Sequence, residues 1–261
     1  MQLPLDAIPL WLYFTLIVAV CLLAIESGYR FGRWRHQRAA EEKDAPVGAM
    51  VAAILGLLAF MLAFTFSLAA TRFDLKRQAV LEEANAIGTT YLRTRLLPEP
   101  QRDEIADLLR EYVDLRLRGV NEGNVAETVA GSEKIQTQLW SKAIEASKNK
   151  EANPVLTALF LQSLNETIDL HAKRVQVGVR NRIPSSIWFS LFALAVISMT
   201  AIGYQSGLCF ARRSPAMLGL ALAFAGILYL IADLDRGREG FLVVSQQALV
   251  DVQKSMKSPS P

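Results

Sequence analysis

Glu82 and Glu83 stand next to each other in a helix-patterned stretch, with Tyr91 further along it. Two carboxylates and a phenol are the chain's best material for acid–base chemistry. No metal ligand and no nucleophile–base pair accompanies them in sequence, so they read as a packed or solvated acidic face of a helix. His171 could ligate a metal or relay a proton, but it falls on an apolar stripe with no metal-type partner within a turn and reads as a packing histidine. His36 is far from it in sequence. Without a cluster of His, Cys and carboxylates, no zinc site is expected. Cys21 and Cys209 lie inside or at the edge of apolar runs and read as small apolar fillers rather than a redox pair. No glycine-rich phosphate loop follows a strand-like run. These residues predict no enzyme, no catalytic residue, no metal and no cofactor.

A second group of residues could act on ions. Gly56, Phe60, Phe64, Ser67 and Thr71 step by four, four, three and four residues, which makes one stripe along a helix. An aromatic stripe that ends in hydroxyls suits a water-accessible path with a hydrophobic constriction, and these five are the candidate pore-lining residues. A packed or lipid-facing stripe is the plainer alternative. Arg72, Arg77, Arg180 and Arg182 flank the same region and form a candidate basic collar that would concentrate anions. Asp233, Asp235 and Arg236 end an apolar run. Charges at such a boundary need partners, so they read as a membrane-boundary ion pair or as the vestibule of a gate.

The elements that must hold these residues are legible from hydropathy. Apolar runs cover residues 8–25, 47–70, 187–210 and 216–232. A bilayer core about 30 Å thick needs roughly 20 such residues in a helix. Backbone groups in lipid must pair within their own segment, which makes each run a helix. The fold class is all-α: four transmembrane helices in two pairs, with a helical extramembrane insert between spans 2 and 3. The first run lacks a basic leader and a small-residue cleavage site, and reads as a retained span. Pro46 and Pro215 suit helix starts, and Pro184 marks a break. The predicted organisation is a first pair with a basic loop over 1–70, a helical domain continuous with spans 2 and 3 over 71–186, a second pair over 187–233, and a C-terminal tail over 234–261. Small residues (Ala52, Ala59, Ala63 and Ala70 on span 2; Gly219, Ala223, Ala225 and Gly226 on span 4) predict close-packing faces.

The 71–186 block carries 17 Lys/Arg and 16 Asp/Glu, so it is nearly neutral. With a net charge of only +3 for the whole chain, nucleic-acid binding is not expected. Within the block, apolar periodicity predicts four helices. One continues span 2 through Val80, Ile87 and Tyr91 to Pro98. A second carries Ile105, Leu109 and Tyr112. A connector over 119–131 leads to Ser132 as the cap of a third. Pro154 opens a fourth, which passes Phe160, Leu164 and His171 and stops at Ile183-Pro184.

Arg30, Arg33, Arg35, Arg38 and Lys43 lie in the first short loop, and Arg212 and Arg213 in the second. Basic short loops favour the cytoplasm, which places the insert and both termini together on the extracytoplasmic side of the cell membrane. Arg72, Lys76, Arg77, Lys173, Arg174, Arg180, Arg182, Arg236 and Arg238 flank the spans on the other side and weigh against that orientation. The basic run over 30–43 could bind anionic lipid or a partner; the plainer reading is an orientation signal and headgroup anchor.

Three blocks carry a resemblance. Phe64-Thr65-Phe66-Ser67-Leu68-Ala69 through Arg72, with Glu82-Glu83-Ala84-Asn85-Ala86-Ile87-Gly88-Thr89-Thr90-Tyr91-Leu92-Arg93 and Leu97-Pro98, resembles the bacterial bestrophin-like (DUF4239) membrane proteins. So do Arg182-Ile183-Pro184 with Trp188, and Asp233-Leu234-Asp235-Arg236 with Gly240-Phe241 and Ser245-Gln246-Gln247. Gly237 stands where that pattern has proline, which would loosen the turn after the last span. Bestrophins are pentameric anion channels, so the resemblance implies a homo-oligomeric, helical, channel-like protein in contact with lipid and small inorganic ions. It also implies an insert inside the cell, opposite to the loop charges. No acidic run resembles the calcium clasp of animal bestrophins, so calcium gating is not implied. The competing expectation is a non-conducting membrane sensor or scaffold whose insert binds a ligand or partner protein.

Overall fold

The structure, a computed structural model, describes residues 8–38, 44–122, 124–209, 215–237 and 240–257. Lys43, Arg212, Arg213 and Arg238 lie outside them. Among the described residues there is no strand, and eight α-helices follow one another. They are α1 (Leu10–Arg38), α2 (Asp44–Arg93), α3 (Gln101–Glu122), α4 (Val125–Ser147), α5 (Pro154–Val175), α6 (Ser185–Leu208), α7 (Pro215–Arg236) and α8 (Gln247–Lys257). Four helical stretches are long and apolar enough to cross a bilayer, in the order expected from hydropathy. The chain divides into two compact units, one of residues 1–73 with 182–243, the other of residues 74–181 with 244–261.

In the first unit α1 and α6 run side by side in the same direction. A Cβ placed on Gly28 would sit 2.0 Å from the Thr200 carbonyl oxygen, and one on Gly32 2.2 Å from that of Tyr204. From the other side, a Cβ on Gly203 would lie 2.0 Å from the Ile25 oxygen, and one on Gly207 2.3 Å from the Tyr29 oxygen. Two glycine pairs, each spaced by four residues, thus put backbone against backbone. At the far end of the pair Tyr13 packs edge-on to Trp188 and Phe192, with centroids 6.3 and 6.1 Å apart. The same direction for α1 and α6 is what a chain crossing lipid at each of four helices requires of its first and third. α7 runs opposite to α1: Phe14 meets Tyr229 at 6.0 Å, and Arg236 Nη1 donates to the Ile8 carbonyl at 2.7 Å. Leu58, Leu62 and Ala69 of α2 complete the apolar core with Leu191, Met199, Ala225 and Leu228.

Within one protomer the small residues fall on both exposed and buried positions. Ala52, Ala59, Ala63 and Ala223 are exposed, and Gly219 and Gly226 face open space, while Ala225 alone of that set is fully buried. The close contacts fall on glycines of α1 and α6, where runs of bulky residues hide the four-residue spacing.

The second unit is a helical bundle around Ile87, Ile105, Leu109, Tyr112, Leu139, Phe160, Leu164 and Leu249. Two details differ from expectation. The connector over 119–131 is nearly all helix: α3 runs to Glu122 and α4 starts at Val125, capped by Asn124, whose side chain accepts from the Glu127 N–H. Asn124 is an ordinary cap residue followed by a glutamate three positions on. Ser132 lies buried inside α4 and bonds back to the Thr128 carbonyl at 2.7 Å. Gly119 admits Thr128, since a Cβ there would stand 1.9 Å from its hydroxyl. The tail also forms a helix: α8 buries Leu249 and Met256, and Gln253 donates to Asp114 of α3 at 2.5 Å. Asn153 caps α5 ahead of Pro154. After α5 a π-turn over Gln176–Arg180 leads to a non-helical break before α6.

Candidate functional site

Gly56, Phe60, Phe64, Ser67 and Thr71 all lie on one exposed face of α2. Phe60 and Phe64 leave 66% and 55% of their surface open, while Leu58, Leu62, Thr65 and Ala69 on the opposite face are at most 4% exposed. The helix therefore holds its place through the buried face and leaves the aromatic stripe uncovered in the protomer. The Thr71 hydroxyl donates to the Ser67 carbonyl at 2.9 Å, which satisfies its proton within the helix and leaves its oxygen outward.

The members of the expected collar divide between the two units. Arg77 and Arg180 are exposed in the second. In the first, Arg72 is half-buried, with a buried Nη1 that finds no hydrogen-bond partner among the described residues. Arg182 turns onto the end of α7: it donates to the Asp235 carbonyl at 2.9 Å and approaches the Asp235 carboxylate at 3.7 Å.

Asp233, Asp235 and Arg236 are all buried. Asp235 Oδ1 accepts the Ile183 N–H at 3.1 Å, which ties the start of α6 to the end of α7. Asp233 Oδ2 accepts the Phe241 and Leu242 N–H groups at 3.0 and 3.2 Å, folding the following strap back over the helix end. Gly240, at φ +102°, makes room, since a Cβ there would meet Asp233 Oδ1 at 2.1 Å. Gly237 does not loosen this turn. Its φ of 61° and its N–H bond to the Asp233 carbonyl at 2.9 Å close the helix. Proline, with φ fixed near −65° and no N–H, can do neither.

Of the acid–base candidates, Glu82 forms an exposed pair with Lys173 at 2.7 Å, and Tyr91 bonds to Arg110 at 2.5 Å and to the Met256 carbonyl at 3.1 Å. Glu83 is different. It is fully buried in the second unit and gathers Arg174, Arg116 at 3.3 Å and the Tyr112 hydroxyl at 2.9 Å. His171 Nδ1 stands 3.0 Å from that hydroxyl and 3.6 Å from Glu83 Oε1. Gln136 donates to Tyr112 at 3.4 Å, and Arg174 reaches Gln246 at 2.6 Å. Burial by itself raises the Glu83 carboxyl, but Arg174, His171 and Arg116 outweigh it and hold the group well below its ordinary 4.5. Burial and the Glu83 charge push Tyr112 well above 10, so it remains a neutral donor. The carboxylate thus joins α2, α3 and α5, and Arg174 carries the link to the segment before α8. Periodicity puts His171 on an inward face but leaves Glu83 on an acidic face, packed or solvated; its burial and its meeting with Arg116 and Arg174 rest on the tertiary arrangement of three helices.

Four apolar helices, a glycine-packed parallel pair and a helical bundle built on the extension of α2 define a multi-pass, all-helical membrane protein. The chain belongs to the bestrophin-like family: the family model, a bestrophin-like domain, matches residues 15–249. The fold is similar to that of a bacterial bestrophin homologue from Klebsiella pneumoniae, at 13% identity over 94% of this chain and 96% of that one, with a TM-score of 0.68. A point mutant of such a homologue gives 14%, 95%, 97% and 0.69 in the same order. A structure described as a membrane protein with a glycine-to-alanine change gives 16%, 96%, 98% and 0.69. No curated protein matches the chain in sequence.

Proposed function

We propose that the chain is the subunit of a homo-oligomeric ion channel in the bacterial inner membrane, and that the Gly56–Thr71 face of α2 lines its pore. The observation that carries this reading is the open aromatic stripe on a helix whose other face is locked into the protomer core. Copies arranged around an axis would cover that face with one another, bring Phe60 and Phe64 together as a hydrophobic constriction, and leave Ser67 and Thr71 at its end. Family membership and fold likeness to bestrophin homologues support it. Arg72 and Arg77, which follow the stripe along α2, favour anions. With four crossings, both termini and the insert share one side of the membrane.

The test is current through purified protein in planar bilayers. Phe64→Ala is expected to widen the constriction and raise conductance several-fold relative to the unaltered protein. Silent bilayers across chloride, nitrate, sodium and potassium salts at all voltages would remove the channel reading. Recovery of a stoichiometric partner through residues 71–186 would then install the sensor or scaffold reading in its place.

A further inference from the structure

Beyond its apolar run, α1 stays helical from Glu26 to Arg38. This extension carries Arg30, Arg33, Arg35 and Arg38 against one acidic residue, Glu26. Residues four apart share a helix face, so Arg30 and Arg38 stand one turn to either side of Trp34. Phe31 lies on the same side. Its ring stacks on that of Trp34 at 5.8 Å and 21°, and leans on Tyr204 of α6 at 5.6 Å. The Arg38 guanidinium lies over the Trp34 ring, 4.6 Å from its centroid. Both rings remain open, Phe31 by 53% and Trp34 by 47%. The Gly32–Tyr204 and Gly207–Tyr29 approaches hold α6 behind the patch, so the rings rest on a fixed support.

Position and charge choose what covers this shelf. At a rise of about 1.5 Å per residue, residues 31–34 lie only about 9–14 Å beyond the apolar run that ends at Ile25. Helical side chains lean back toward the N-terminus, which here is toward the hydrocarbon. The rings therefore reach the headgroup layer, where aromatic residues concentrate. Arg30 is paired with Glu26 at 2.7 Å, but its side chain is 75% exposed. An ion pair that open to water is weak enough for a phosphate to compete for the arginine. The net charge of the extension is positive, the exposed rings offer apolar cover, and the span is continuous with both.

We propose that the Arg30–Phe31–Trp34–Arg38 face of α1 is a binding site for the headgroup of an anionic phospholipid. Arg30 and Arg38 stand about 12 Å apart along the helix on either side of the shelf and both draw the phosphate to it, and the glycerol and upper acyl chain lie on the Phe31–Trp34 rings. The site does not depend on whether the protein conducts ions.

Full-length protein in detergent is titrated with micelles of phosphatidylglycerol or of phosphatidylcholine with the same acyl chains. Lipid retained per protomer is read after gel filtration. The unaltered protein is expected to favour phosphatidylglycerol, with the preference falling about five-fold for each arginine removed in Arg30→Gln and Arg38→Gln. Trp34→Ala is expected to lower retention of both lipids alike, and Arg95→Gln, an exposed change in the other unit, to alter neither. Arg38→Gln alone carries the same expectation at one step, which keeps the test open if the double variant fails to fold. Equal retention of the two lipids by the unaltered protein, or a preference that survives Arg38→Gln intact, overturns the proposal.

Discussion

Glu83 is a single carboxylate with no exposed surface, two arginines and a phenol around it, and a carboxyl held below its ordinary range. A buried pair contributes little relative to an apolar replacement, but removing one partner strands the others. Glu83→Gln leaves Arg116 a buried cation and Arg174 a half-buried one without their carboxylate, and is expected to cost about 3–5 kcal/mol of stability in the helical bundle, measured by chemical denaturation. Glu82→Gln breaks only an exposed pair and is expected to cost less than about 1 kcal/mol. The pH dependence follows from the sign of the shift. A carboxyl held low in the folded state binds fewer protons there than in the unfolded chain, so its stabilisation is complete above its ordinary 4.5 and is lost as pH falls toward the folded value. Unfolding midpoints of the unaltered protein should therefore drop below about pH 4.5, with that component absent from Glu83→Gln. A variant with the same acid sensitivity as the parent would show that the cluster does not hold the bundle together.

At the scale of helices, the α1–α6 pair depends on four missing side chains. Gly203→Leu drives a side chain into the Ile25 carbonyl, where backbone must move, and is expected to abolish the monodisperse peak on size exclusion or lower its thermal midpoint by more than 10 °C, the consequence of several kcal/mol of overpacking. Gly226→Ala meets open space and should change the midpoint by no more than about 1 kcal/mol allows. The contrast shows what sequence could and could not reveal about the elements. Hydropathy located all four spans because lipid imposes a length and a composition on each helix separately. Proline positions mark the starts of α5 and α6 for an equally local reason. Small residues are a weaker signal, since glycine on a helix says that a neighbour can come close and not that one does. Gly219 and Gly226 have none, while Gly28, Gly32, Gly203 and Gly207 were hidden among Tyr29, Phe31 and Tyr204. The cap at Asn124 escapes a sequence reading because Asn121, Glu122 and Asn124 around Gly123 resemble a loop in composition. The Glu83 cluster was out of reach because it joins residues up to 91 positions apart.

For the molecule as a whole, the decisive feature is a long helix half locked and half bare. α2 spans 50 residues, about 75 Å, and its apolar half buries one face in the core of the first unit while the face from Gly56 to Thr71 stays exposed among the described residues. Lipid is a sufficient cover for the phenylalanines and for Thr71, whose hydroxyl donates within the helix, but it offers nothing to the Ser67 hydroxyl. Symmetry-related copies are a cover that suits both, because a stripe repeated about an axis faces its own image. The two readings separate in a cross-linking experiment. In a background with Cys21→Ala and Cys209→Ser, Ser67→Cys should form disulfide-linked dimers rapidly in membranes on mild oxidation if the stripe faces an axis, and Leu58→Cys should not, since Leu58 has no exposed surface in the protomer. Linkage from Gly219→Cys, an open position on α7, serves as the measure of random collision in the bilayer. Ser67→Cys linking no faster than Gly219→Cys would put the stripe against lipid and remove it as the lining of the proposed pore.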